Sequence, residues 1–377
     1  MKYSIVHSIV FFSIILVLGS CGNKDKGTTV PEGNPSDREA MLKNVADNIV
    51  IPANAKFEIK LDNMIAKSDV FRNNPTVTTL SEYRIAWAEA YIEWQKIGIF
   101  DFGPAADVAL NSYMNVYPAN VSNINANILS GNANLEVFES YSAQGFPAID
   151  YLINGSADTD DDIVALYVTG EDADKRKAYL LRLTNQMHAK FEAVNAAWKG
   201  DYRNTFVSST GTGLNASTSV MVNGIVFYYE RFIRSGKFGI PSGAMTGTPL
   251  NASVEAYYKK DIGKILAQTA QQAFVDYFNG KGVTTGIEGP SLKTYLNALD
   301  AKDATTKQPL SEIINNQFTV VDSKLNVLSD NLSNEVLTNK AAMVAVYNEM
   351  QKAVRMLKVD MTSALSVTIT YTDNDGD

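Results

Sequence analysis

Gly145, Pro147 and Asp150 carry the sharpest chemical signal in the chain, inside the stretch Ser-Tyr-Ser-Ala-Gln-Gly-Phe-Pro-Ala-Ile-Asp-Tyr-Leu-Ile-Asn-Gly at 140–155. Glycine takes backbone angles that other residues avoid, and proline suits a helix's first turn, so the stretch reads as a loop feeding a helix N-terminus. Positions 147 and 150 then share one helical face, the placement that two metal ligands or a base and its partner would need. An Asp in a first turn is also favoured by the helix dipole alone, with no ligand required.

Other chemistry-bearing residues are sparse. The two histidines are His7, in an apolar leader, and His188, so a two-histidine zinc site cannot be assembled after processing. Cys21 is the sole cysteine, which excludes an internal disulfide or a thiolate cluster. No Gly-x-Ser-x-Gly elbow occurs, so serine or cysteine catalysis has no supporting motif and no catalytic residue is assigned. The acids Asp158, Asp160, Asp161 and Asp162 lack the spacing and turn glycine of a calcium loop and read as a solvated segment. Asp373-Asn374-Asp375-Gly376-Asp377 echoes the start of an EF-hand loop, without the distal Glu. A net charge of −8, one unit more negative without Lys2, argues against nucleic acid, which attracts concentrated positive charge.

Lys2, the apolar run from Ile9 to Leu18 and then Leu18-Gly19-Ser20-Cys21 read as a lipoprotein signal peptide over 1–20, with lipid attachment at Cys21. The Gly-, Asn-, Lys- and Pro-rich residues up to 35 read as a flexible tether. The expectation is a protein of the cell envelope, lipid-anchored to the outer membrane and facing the periplasm or the cell surface. No later run is apolar for long enough to span a bilayer.

The elements that must position these residues read as helices. Ser36 to Glu39 has capping-box spacing, and apolar steps continue to Ile65 with Pro52 expected to kink or restart the helix. Thr79 to Glu82 repeats that spacing, and Leu80, Tyr83, Trp87, Tyr91, Trp94 and Ile97 form the cleanest amphipathic stripe, read as core. Leu180, Leu183, Met187, Phe191, Val194 and Trp198 mark a third helix, and 199–217 reads as a connection without helical period. Further helices are expected over 254–279, around Leu292 to Leu299, and over 310–331 and 334–357. About 340 residues beyond the tether exceed one compact core, so two are expected, over 36–170 and 171–377.

The chain resembles the imelysin family, whose Gly-x-His-x-x-Glu signature falls on Gly145, Pro147 and Asp150. Phe100-Asp101-Phe102-Gly103-Pro104 is similar to a family turn, and Asn115-Val116-Tyr117-Pro118 to its Asn-x-Trp-Pro. Ser217 or Ser219, Asn223, Glu230 and Lys237, with the turn through Gly239, Pro241 and Gly243, match a second block. Departures are as telling. Proline stands at the ligand histidine, Gly98 where the family commonly has a Glu, and Lys259 where it often has Ser. The resemblance implies an all-α fold of two helical bundles that look like duplicates, with a site between them. A weak internal echo, Phe102-Gly103-Pro104 against Phe238-Gly239-Ile240-Pro241, agrees.

The family is associated with metal-dependent peptidase activity and with iron acquisition. Peptidase chemistry needs a Lewis-acid metal held by ligands that include imidazole, which Pro147 cannot supply. The expectation is therefore a non-catalytic binding protein serving iron or haem acquisition, with iron implied by the resemblance alone. The candidate inter-bundle site comprises Gly103, Pro104, Gly145, Pro147, Asp150, Asn223, Glu230, Arg231, Lys237, Gly239 and Pro241, with Asp150 and Glu230 as the carboxylates that could hold a metal. The alternatives are an imelysin-type metallopeptidase and a docking module for an outer-membrane transporter.

Overall fold

The computed structural model describes residues 33–372; the leader, Cys21, most of the tether and the acidic end at 373–377 lie outside the described residues. Among the described residues there is no β-strand, only two isolated bridges, Lys281 with Glu288 and Lys302 with Pro309. The fold is all-α, and no described helix is long and apolar enough to cross a membrane.

Helix α1 runs from Pro35–Asn44 through a wide π-helical stretch, Val45–Val50, into Ile51–Asn73. Its cap is Asn34, whose side chain accepts from the Ser36 backbone N–H at 3.0 Å, so the start lies ahead of the box expected at Ser36. Pro52 sits in the first turn of the last segment, where its missing N–H costs least. Helix α2, Val77–Ile97, also starts earlier than expected, because Thr76 and Thr79 form the capping box and exchange side-chain to backbone bonds at 3.0–3.1 Å. All six residues of its expected stripe are buried.

The stripe forms an aromatic core. Phe57 of α1 packs at 5.6 Å on Trp94 and at 4.8 Å edge-on to Phe191 of the helix α4 defined below. Helix α3, Gly145–Asp150 continued by the π turn Tyr151–Gly155, is fastened to the same stripe. Phe146 stacks on Tyr91 at 4.5 Å with rings 3° from parallel, and its carbonyl accepts from the Trp87 indole at 3.2 Å. Helix α4, Ala173–Lys199, completes this group by packing on α1. It lies on the C-terminal side of the boundary expected at 170/171 and packs on α1, α3, the short helices before 170 and the short helix Tyr202–Ser208 that follows it.

Helix α5 joins Ser217–Tyr228 to an unusually long π segment, Tyr229–Gly239. Helix α6 is Gly263–Asn279, α7 is Leu310–Asn326, and α8 is Lys340–Arg355 continued by Met356–Met361. α6 packs on α7, α7 on α8, and α8 on the second half of α5; α6 also packs along α2, which is thus the seam between the two groups of helices. Three expectations fail locally. Residues 254–262 are turns, with Ala256 and Lys260 at φ 54° and 71°, so α6 starts only at Gly263. The second of the two long C-terminal helices is instead two, a short Leu332–Thr338 and α8, which meet at Asn339. Inside the connection at 199–217, Tyr202–Ser208 is helical, because Tyr202 and Phe206 pack on Trp198 at 4.8 and 5.2 Å.

Gly145 permits the close approach that seats α3. Its φ is +72°, and a Cβ there would lie 2.3 Å from the Met114 carbonyl oxygen. Gly131 has a similar φ of +65° with open space around it. Gly145→Ala should therefore destabilise the protein by about 3 kcal/mol or more, strain plus overpacking, while Gly131→Ala should cost about 1–2 kcal/mol. Equal losses in urea denaturation of the two variants would remove the role assigned to the Met114 contact.

Candidate functional site

Pro147 and Asp150 do share the buried face expected of them, but that face is filled by the protein itself. Asp150 Oδ2 accepts from the Tyr258 backbone N–H at 2.9 Å; Oδ1 accepts from the Lys259 backbone N–H and the Asn154 amide, both at 3.0 Å. The carboxylate thus fastens the turn at 256–260. Burial pushes its pKa up to about 7, against the pull of the Tyr258, Asn154 and Lys259 donors. The cavity beside it is about 80 Å³, bounded by Pro147, Asp150, Tyr117, Tyr257 and Tyr258. That is room for a few waters rather than for a peptide.

A metal does not fit this position. Pro147 has no side-chain donor atom, and both oxygens of Asp150 already hold N–H groups. Glu230, its expected partner, belongs to a different network. Among the described residues no group of three or more His, Cys, Asp or Glu could hold a metal ion. His188 is half-exposed on α4, 3.7 Å from Asp62.

A buried charged network lies at the α2 seam. Lys237, on the π segment of α5, pairs with Glu255 of the 254–262 turn, and both are 2% exposed. Lys237 Nζ also donates to Gln95 Oε1 at 2.8 Å, while Gln95 Nε2 donates to Glu255 Oε1 at 2.9 Å, closing a ring of three side chains. Asn115 Nδ2 donates to the same Oε1 at 2.7 Å, and Asn115 Oδ1 accepts from the Tyr91 hydroxyl at 2.5 Å. Burial lowers the Lys237 pKa and Glu255 opposes that; burial and then Glu255 hold the Tyr91, Tyr117 and Tyr228 hydroxyls well above their ordinary range. A helix start was expected at Glu255, so this partner was missed, as were Gln95 and Asn115; an isolated acid between Val254 and Ala256 was the available signal.

Asn223 and Glu230 face a third place, the C-terminal tail. Asn223 Nδ2 donates to the Thr368 carbonyl at 3.0 Å, and its Oδ1 accepts from the Thr370 N–H at 2.8 Å. Glu230 accepts from the Tyr371 hydroxyl at 3.0 Å and pairs with Lys358 at 3.3 Å and Arg234 at 3.6 Å. Arg231 is exposed; Arg234, one turn on, is the buried arginine. The two turns are also elsewhere. Gly103 packs against Tyr202, Gly239 against Met245 and Tyr347, and Pro104 and Pro241 open short helices; none of the four lines the cavity at Asp150.

A family model described as Imelysin, peptidase family M75, matches residues 54–361. The chain belongs to the imelysin family. Its fold is similar to that of an imelysin-like protein from Psychrobacter arcticum, with a TM-score of 0.68 at 15% identity over 90% of this chain and 98% of that one. It is also similar to a protein provisionally named iron-regulated protein A precursor from Parabacteroides distasonis, with a TM-score of 0.67 at 14% identity over 87% and 97%. No curated protein sequence matches the chain.

In this imelysin-family chain, the signature position has become a structural clasp beside a buried ion pair. Removing one partner of such a pair strands the other charge in the interior, at about 3–5 kcal/mol. Lys237→Met should lose that much stability, and Lys237→Met with Glu255→Gln should recover more than half, as read in urea melts; a double variant as unstable as the single one would contradict the charge argument. Asp150 adds a pH signature. An unfolded Asp, near 3.8, loses its proton before the folded one at about 7, so the folded state binds more protons across that window and stability falls as pH rises through it. The loss between about pH 5 and pH 8 should be smaller in Asp150→Asn, even though that variant starts lower because its amide opposes a backbone N–H.

Proposed function

We propose that this imelysin-family protein is a non-catalytic, lipid-anchored binding component of the cell envelope that serves iron or haem acquisition. The observation that carries the non-catalytic half is the state of Asp150, with both oxygens engaged by N–H donors, next to a proline where the family signature places histidine. A metallopeptidase needs a metal held by several protein ligands and space for its peptide substrate, and here Pro147 offers no side-chain ligand while the cavity of about 80 Å³ is too small for a peptide. The Parabacteroides protein's name, iron-regulated, supports the acquisition half. The sequence Leu18-Gly19-Ser20-Cys21 supports the anchor and, with it, a location on the outer membrane facing the periplasm or the cell surface. The partner we assign there is an outer-membrane transporter, beside which a tethered helical body would work.

The test has two arms. Deleting the gene should slow growth when haem or a ferric complex is the sole iron source and leave growth in iron-replete medium unchanged. The purified full chain should release no peptides from casein with zinc, iron or manganese added. Unchanged growth on both iron sources would overturn the acquisition role; metal-dependent hydrolysis that Asp150→Ala abolishes would restore the peptidase.

A further inference from the structure

A second cavity, about 640 Å³, is walled by α1 and α7, with α2 and α6 packed together between them. That volume is in the range of small-molecule sites. None of its lining residues belongs to the signature, the Lys237 network or the tail clamp.

Lys56, Lys96 and Lys281 face Glu93, Asp276 and Asp322 in this cleft, so its charges balance and favour neither a cation nor an anion. Four of the six are matched on the spot. Lys96 donates to Glu93 Oε2 at 2.7 Å, and Lys281 lies 3.4 Å from Asp276 Oδ1. The other two stand on opposite walls. Lys56 of α1 is exposed, and its one hydrogen bond goes to a neutral group, the Val283 carbonyl, at 2.9 Å, which leaves two ammonium donors and the charge unanswered. Asp322 of α7 is half-buried and, among the described residues, has no ion pair or hydrogen bond; burial raises its pKa. Packed helices lie about 8–10 Å apart, so charges on the outer two of the four helices are on the order of 10 Å apart, too far to pair with each other.

The accessible surface between them is mixed. Ile265, Ala273 and Val283 supply apolar area. Gln268 and Gln272 turn their amide nitrogens to Asn326 and Asp276, at 2.7 and 2.8 Å, which leaves their amide oxygens free to accept. The matching occupant has a positive end, a negative end, N–H donors between them and a modest apolar side chain. A free amino acid is too short for this, because a chain gains only about 3.3–3.6 Å per residue.

We infer that this cleft binds a short peptide of two or three residues with both ends free, its ammonium group at Asp322 and its carboxylate at Lys56. Each end forms a charge-assisted hydrogen bond with the one group in the cleft that lacks a counter-charge. The peptide N–H groups meet the Gln268 and Gln272 oxygens, and the apolar side chain displaces water from Ile265 and Ala273. The inference is independent of the iron reading, because it uses no residue and no ligand of that proposal.

Calorimetry on the full chain with Ala-Leu-Ala, its N-acetyl form, its C-terminal amide and free leucine tests it. Ala-Leu-Ala should bind saturably, and each of the other three about tenfold or more weaker, the margin expected for a hydrogen bond to a charged group. Asp322→Asn should weaken the free peptide about tenfold and leave the acetylated one unchanged; Lys56→Met should do the same for the free and the amidated peptides. Both residues are solvent-accessible, so these variants keep the core intact. Thr269→Trp, which fills the cleft, should abolish binding. No saturable binding of Ala-Leu-Ala, acetylated and amidated peptides that bind as well as the free one, end-blocking losses that persist in full in the matching variants, or binding undiminished in Thr269→Trp would each overturn the assignment.

Discussion

The buried pair between Lys237 and Glu255 is the constraint on which the arrangement of this protein depends. Two opposite charges taken out of water are tolerable only when the remaining lone pairs and protons find partners in good geometry. Here these come from far apart in the chain: Gln95 from α2, Asn115 from the loop ahead of α3, and the pair itself from the π segment of α5 and the turn at 254–262. A ring of that kind closes in one arrangement. Sliding α5 along α2 by a single residue would leave a charge without its counter-charge, so the pair selects the register of the seam more than it adds to net stability.

Asp150 extends the same constraint. The turn that presents Glu255 carries positive φ at Ala256 and Lys260, a conformation that non-glycine residues adopt reluctantly. The carboxylate of Asp150, held in place by the Tyr91–Phe146 stack, receives the Tyr258 and Lys259 backbone N–H groups and makes that turn sustainable. A residue that in the family signature reads as a metal ligand therefore acts here through backbone hydrogen bonds. Proline at 147 is consistent with that change, since a first helical turn accepts it without losing a hydrogen bond.

How much of this was legible in the sequence follows from the range of the forces involved. The core stripe of α2 was legible because burial at a period of 3.6 writes itself into residues three and four apart, and Leu80 to Ile97 are all buried. The family and the all-α fold were legible from short motifs. The turn at 254–262 was not, because Glu255-Ala256-Tyr257-Tyr258 has acceptable helix propensity and what holds it open is Asp150, more than a hundred residues away. The candidate site failed for the same reason. Asp150, Glu230 and Lys237 occupy motif positions, but spacing along the chain does not reveal whether side chains on different helices meet. They separate into a clasp, a tail clamp and a seam network.

The wide turns connect these three outcomes. π-helical segments shift the face that a helix presents and recur at functional positions. Here one directly follows Asp150, one contains both Glu230 and Lys237, and one contains Lys358. In a regular α-helix, residues 230 and 237 are two turns apart and would lie near one face. The π geometry of Tyr229–Gly239 separates them instead, with Glu230 bonded to the tail and Lys237 to the seam. The tail at 367–372 is thus held by residues of the second motif block, Asn223 and Glu230, while the first block holds the turn at 256–260. Both blocks are thus engaged by this chain's own residues at separate places rather than at one shared inter-bundle site.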